Sequence, residues 1–222
     1  MNRTDTKFVL ERDKFLSIFN VLSKDYRVLE VNGNRISNYQ TLYFDTPNFQ
    51  YFLDHHNGKG NRFKIRIRNY VESGLFYLEI KNKFRGRTDK HRISVKGFET
   101  VLKGKNKIFV DEIIGKGVQL EDKLWNSFGR ITLVNQKEKE RLTLDVNLTF
   151  EKDENKVVFP HIIIAELKQE NVNRNSPFYS LMKKNQIRPY SISKYCIGAV
   201  SLNPSLKYNN FKEKLMLIDK LK

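Results

Sequence analysis

The sequence predicts an α+β fold whose main element is an antiparallel sheet, curled into a closed barrel with its charged face inward. Three observations predict it. Segments alternating apolar and polar residues, the side-chain period of a β-strand, recur along the chain between turns, with helical segments inserted. In NRFKIRIRNY (61–70) that alternation sets Phe63, Ile65 and Ile67 against a uniformly cationic face of Lys64, Arg66 and Arg68. The chain has 222 residues, 39% of them hydrophobic, enough for one sizeable core, and no linker, repeat or low-complexity stretch divides it. One domain over residues 1–222 is expected, with 205–222 as a basic amphipathic C-terminal helix.

Residues 7–10 read as a short strand and 11–23 as a helix. A strand over 39–44 ends at Asp45-Thr46-Pro47, where Thr46 suits an N-cap and Pro47 a first helical position for a helix over 48–56. Residues 62–70 and 75–83 form a hairpin across Val71-Glu72-Ser73-Gly74, and 90–95 is a further strand. The stretch 97–125 is expected to be helical in parts. Strands are expected over 130–134, 140–149 and 157–168, and a helix opened by Ser176 and Pro177 over 176–185. In the tail, Phe211, Leu215, Ile218 and Leu221 share one side of a helix.

The cationic face recurs. FYLEIKNKF aligns Glu79, Lys81 and Lys83; TDKHRISV aligns Lys90, Arg92 and Ser94. RTDTKF aligns Arg3, Asp5 and Lys7; ERLTLDVNL aligns Arg141, Thr143 and Asp145; IIIAELK ends on Glu166 and Lys168. One such strand reads as a solvated sheet face. Solvated faces interleave both signs to limit repulsion, so repetition favours charged faces turned into a barrel. Its lumen would be a tunnel for an anion with many phosphates, and its few acids would balance charge or hold Mg²⁺ or Mn²⁺.

Composition bounds the partners. Lys and Arg number 41 against 25 Asp and Glu, a formal net charge of +16, which implies nucleic acid, an anionic membrane surface or a phosphate-rich small molecule. The single cysteine, Cys196, excludes an intrachain disulfide and a Cys-rich zinc site. The N-terminus lacks the apolar run of a signal peptide, and no apolar stretch is long enough to span a bilayer, so a cytoplasmic protein is expected, with peripheral attachment to the inner face of a membrane through its basic tail as an option. His55 and His56, adjacent on a helix, point apart and read as a surface turn; His91 and His161 lie off the basic face.

The order of RTDTKF, LYFDTPNFQYF, KIRIRNY, LEIKNK, KHRIS, RLTLD, AELK and SISKY resembles the VTC domain, the polyphosphate polymerase domain of the CYTH / triphosphate tunnel metalloenzyme superfamily. The resemblance covers residues 3–195 and implies an eight-stranded antiparallel β tunnel with peripheral helices. It implies that Lys7, Arg66, Arg68, Lys81 and Arg92 cradle a triphosphate, with Arg66, Arg68, Lys81 and Arg92 as the catalytic set. Lys90 is then at the rim, Arg141 at a terminal phosphate, Lys194 on phosphate, and Glu166 on the metal, Mn²⁺ or Mg²⁺. Arg3, Lys83 and Lys168 join the phosphate-binding candidates from the same faces. The implied activity is transfer of the ATP γ-phosphate onto polyphosphate; hydrolysis of triphosphate, cyclisation of ATP, and non-catalytic sensing of polyphosphate or inositol phosphates are the alternatives. Partners are ATP and polyphosphate, a membrane-protein partner as an option, and no specific nucleic acid, because the aromatic residues share parity with aliphatic ones. Two departures stand out: Thr4-Asp5-Thr6-Lys7 carries one acid where relatives carry two, and Lys137 stands where an arginine before the RLTLD strand is usual.

Overall fold

The computed structural model describes residues 4–222. Its elements in chain order are β1 (Thr4–Glu11), α1 (Arg12–Phe19), β2 (Tyr26–Val28), β3 (Ile36–Asp45), α2 (Gln50–His56), β4 (Arg62–Tyr70), β5 (Leu75–Phe84), β6 (Arg87–Val95), α3 (Gly104–Ile114), β7 (Glu121–Asn135), β8 (Glu140–Lys152), β9 (Asn155–Phe159), β10 (Ile162–Gln169), α4 (Pro177–Lys184), α5 (Lys194–Leu202) and α6 (Lys212–Lys220). All ladders are antiparallel, and the main path runs β1-β10-β8-β7-β3-β4-β5-β6, with β2 added on β7 and β9 on β8.

The α+β class and the antiparallel sheet hold. The sheet has ten strands where eight were expected, eight of them on the main path, and no ladder joins β1 to β6 among the described residues. Among the described residues, then, the barrel is not closed by hydrogen bonds.

Three apolar layers explain how the sheet is covered. On one outer half, Phe8, Leu10, Leu142, Leu144, Ile163 and Ala165 pack against Phe15 of α1 and Phe178 and Met182 of α4. On the other, Leu42, Ile65, Ile67, Leu78 and Ile80 pack against Val110 of α3. The third layer lies on the opposite sheet face. Along the strands that carry Lys7, Arg66 and Glu166, this face turns apolar, and Val9, Tyr43, Leu124, Phe150 and Ile164 pack against Tyr195, Ile197 and Ala199 of α5. The helix therefore plugs one end of the concave face and leaves the rest polar.

Several boundaries differ from those the sequence predicts, each for a local reason. The predicted helix over 11–23 is α1 followed by a 3₁₀ turn over Asn20–Lys24. Helix α2 starts at Gln50, because Thr46 and Pro47 form a turn closed by Phe49 N–H to Thr46 C=O at 3.0 Å. The Asp45 carboxylate, not Thr46, does most of the capping, accepting from the N–H groups of Tyr51 and Phe52 at 2.9 Å each. Of the stretch 97–125 only α3 is helical, and its end already belongs to β7. A bulge at Ser127/Gly129 breaks the alternation of β7, which hides this 15-residue strand from a period-2 reading. The strand expected over 157–168 is two, β9 and β10, separated at Pro160 and His161. Strand β2 and helix α5 are additional. The tail is α6, whose Ile218 is buried in the third layer with Phe211 just before it. No helix among the described residues is long and apolar enough to cross a membrane.

Candidate active site: a cationic concave face

Strand register assembles the site. Arg62 lies opposite Lys83, Lys64 opposite Lys81, and Arg66 opposite Glu79 on β4 and β5. Strand β6 adds Lys90 beside Lys81 and Arg92 beside Glu79. At the far edge Lys7 pairs with Glu166, Asp5 with Lys168, and Lys168 with Arg141. Arg130 of β7 lies opposite Asp145 of β8.

Charges are paired around Glu79, Asp145 and Glu166, and unpaired at Arg68, Lys64, Lys81 and Lys83. Arg66 and Arg68 are only 9% and 6% exposed, which rules out a solvated face for them. The Arg66 guanidinium forks onto Glu79 Oε2 at 2.8 and 2.6 Å, and Lys90 contacts the other Glu79 oxygen. Arg68 has no carboxylate; it donates to Thr41 Oγ1 at 3.1 Å and lies 5.3 Å from the Tyr39 ring centroid and 5.5 Å from that of Phe128. Arg130 forks onto Asp145 at 2.5 and 2.8 Å, and Lys194, at the first position of α5, donates to the same carboxylate. Glu166 faces Lys7 at 3.3 Å and accepts from Lys168, which also holds Asp5 at 2.8 Å. Lys64, Lys81 and Lys83 have no carboxylate partner among the described residues.

The electrostatics follow. The repulsion of Arg66, joined by burial, pushes the Lys81 ammonium down to about 6. Burial, reinforced by Lys7 and Arg66, brings Lys64 down to about 8. Burial together with Arg66 lowers Arg68 to about 10. Burial favours the neutral acids, yet Arg66 and Lys90 hold Glu79 at about 2, and Lys194 and Arg130 hold Asp145 at about 2. Burial is likewise outweighed at Glu166, where Lys7 and Lys168 keep the carboxyl far below its usual range. Lys64 and Lys81 are thus lysines close to shedding their protons, beside a cavity of about 780 Å³ that Lys7 and Lys83 also line.

Most residues expected from the sequence converge here: Lys7, Arg66, Arg68, Lys81, Lys83, Glu166, Lys168 and Lys194. Lys90 and Arg92 lie on the exposed edge strand, Arg92 4.8 Å from the centroid of the Tyr77 ring. Arg141 has the right parity, but its side chain is exposed. Arg3 lies outside the described residues. Lys137 is not in the site; it is 78% exposed beside Asp25. An arginine that sequence reasoning missed does face the site: Arg130, hidden because the β7 bulge shifts its parity. His55 and His56 are not a surface turn: His56 is buried against Phe52 and Phe211, and His55 lines the cavity.

No group of three or more His, Cys, Asp or Glu side chains able to hold a metal occurs among the described residues. Glu166, with Asp5 beyond Lys168, fits as a single protein ligand to a hard cation whose other ligands are phosphate oxygens and water.

The sequence profile of the VTC domain matches residues 2–203, and the chain belongs to that family. No curated protein matches it by sequence. Among solved structures it is similar to a candidate adenylyl cyclase from Hippeastrum described as having a dominant triphosphatase activity, at a TM-score of 0.58 and 14% identity, covering 90% of this chain and 96% of that one. A candidate adenylate cyclase from Bacillus halodurans gives 0.54 and 13%, covering 87% and 96%. One from Vibrio parahaemolyticus gives 0.51 and 13%, covering 90% and 99%. At these identities the likeness is one of fold.

Proposed function

We propose that this member of the VTC-domain family is a polyphosphate polymerase-like phosphotransferase that moves the γ-phosphate of ATP onto a growing polyphosphate chain within its cationic concave face. The observation that carries this reading is the set of basic side chains without carboxylate partners: Lys64, Lys81 and Lys83 lining one cavity, and Arg68 further along β4. Such crowding disfavours the empty protein and is relieved by a ligand with several phosphates; a single carboxylate or phosphate would neutralise only part of it.

Phosphoryl transfer depends mainly on alignment and charge neutralisation. Arg66, Arg68 and Lys81 would hold the triphosphate, and Arg130 and Lys194 would face it from the other wall. The terminal phosphate oxygen of the acceptor attacks the γ-phosphorus; the bond to the β,γ-bridging oxygen breaks and ADP leaves with that electron pair. The attacking oxygen is already anionic, so no general base is required. Mn²⁺ or Mg²⁺ on Glu166 would supply charge neutralisation at the transferring group. Incubation with ATP and Mn²⁺, with products separated on a gel stained for polyphosphate, should give a ladder that Lys81→Met removes. Tripolyphosphate binding with no ladder would favour the alternative, a polyphosphate or inositol phosphate sensor, to which one observation points: each concave-face carboxylate, Asp5, Glu79, Asp145 and Glu166, already holds a cation. Release of inorganic phosphate alone would favour a triphosphate hydrolase.

Glu166→Gln separates the two uses of that carboxylate. It leaves Lys7 and Lys168 without their partner, so metal-free binding of tripolyphosphate should tighten severalfold while Mn²⁺-dependent turnover disappears. Unchanged turnover would remove Glu166 from the metal.

A further inference from the structure

The concave face is longer than a triphosphate. From Arg68 to Arg62 along β4 is about 20 Å at the usual strand rise. The inner part of that ladder, Arg68 and Arg66, meets Arg130 and Lys194 across the face. The outer part is different in kind. There Arg62 stands opposite Lys83, and at His55, from the last turn of α2, burial and then Lys64, Arg62 and Lys83 all disfavour protonation. Among the described residues one acid lines the cavity, Asp5, and it is held by Lys168.

Two buried polar atoms here lack any partner, His55 Nε2 and Arg62 Nε, and both residues line the cavity. Orphaned buried donors are costly and call for an explanation. A neutral imidazole beside three cations can still give its N–H to an anionic oxygen, and the Arg62 fork is free apart from one bond to Lys59 C=O at 2.8 Å. The wall does not suit a nucleoside. Its two six-membered rings are already covered, Tyr190 by Lys214 at 5.0 Å from the ring centroid and Phe211 by His56 edge-on at 5.6 Å.

We propose that His55, Arg62, Lys64 and Lys83 form a second, outer phosphate subsite that binds the units of a linear polyphosphate lying beyond the triphosphate cradle. It rests on the reading of the concave face as a polyphosphate site and adds to it where the acceptor chain runs: past the C-terminal end of α2, along the cavity wall that includes Asn210 and Lys214, which lie beyond the span matched to the family. The subsite makes affinity depend on chain length.

Calorimetric titration without metal, using inorganic tripolyphosphate and linear polyphosphate of defined longer length, tests this. The wild type should bind the long chain more tightly. His55→Ala should reduce that advantage roughly fivefold and Arg62→Gln roughly tenfold, with tripolyphosphate affinity unchanged within twofold. Restoration by His55→Gln, which returns a donor, would support a direct contact. The imidazole is neutral in the free protein, so His55→Ala leaves the net charge of the unliganded site unchanged. An unaltered long-chain advantage in both variants, or an equal fall for tripolyphosphate, would overturn the subsite. Failure of the wild type to bind tripolyphosphate would overturn the reading of the whole face, and the subsite with it.

Discussion

At the residue scale Lys81 tests the site most directly. Its ammonium is crowded by Arg66 and held at about 6, against an ordinary lysine value of 10.5. The unfolded chain therefore binds more protons than the folded one between those values, so this residue makes stability rise with pH across that window, and its cost is full below pH 6. Lys81→Met removes it. The variant should melt a few degrees higher at pH 6, roughly 2–4 °C for each 1 kcal/mol recovered in a chain of this size, and the gain should fade toward pH 10. A gain independent of pH would assign the effect to packing. A bound polyanion should restore the proton, so tripolyphosphate binding near pH 7.5 should take up protons in the wild type and fewer in Lys81→Met, seen as a buffer-dependent heat. Residues of this kind were legible in the sequence where alternation is unbroken: Arg66 and Arg68 on β4, Lys81 and Lys83 on β5. Arg130 was not, because a bulge separates its parity from that of the preceding residues. Lys64 was visible on the same cationic face but nothing in the sequence distinguished its place from a solvated one.

At the element scale the deciding piece is α5. It reads poorly from sequence because KYCIGAVSL is apolar on nearly every side, a pattern shared by buried strands and buried helices. Burial explains it: seven of its nine residues are inside. Ser193 caps it through Cys196 N–H at 3.3 Å, which places Lys194 at its first turn and against Asp145. Tyr195 donates to Asp45 Oδ2 at 2.5 Å, so the carboxylate that caps α2 also fastens α5. Gly198 allows the close approach to β8, since a Cβ there would meet Phe150 Cδ1 at 2.3 Å. Gly198→Ala should overpack this seam, costing about 1–3 kcal/mol by urea unfolding, and by shifting Lys194 should weaken tripolyphosphate binding. A neutral effect on both would mean that α5 does not set the depth of the site.

At the scale of the whole molecule, the sequence made the fold class legible but not the manner of its curvature. Alternation tells which face a residue takes on its own strand. It does not tell how far a sheet curls, which depends on the β7 bulges and on the plug of α5, both set by contacts distant in sequence. The consequence is functional. A net charge of +16 on an open face would bind any polyanion, and duplex DNA first among them. Here Arg66 and Arg68 are buried in the concave face, and Arg130 and Lys194 keep only 19% and 14% of their side chains exposed. Access to these cations, rather than charge, then sets selectivity. Linear polyphosphate should raise the melting temperature in proportion to the logarithm of its concentration above Kd, and a large excess of duplex DNA at 0.15 M salt should neither raise it nor displace bound tripolyphosphate. Displacement by duplex would place the binding cations on the outer surface, since a double helix cannot follow a single phosphate chain into the face.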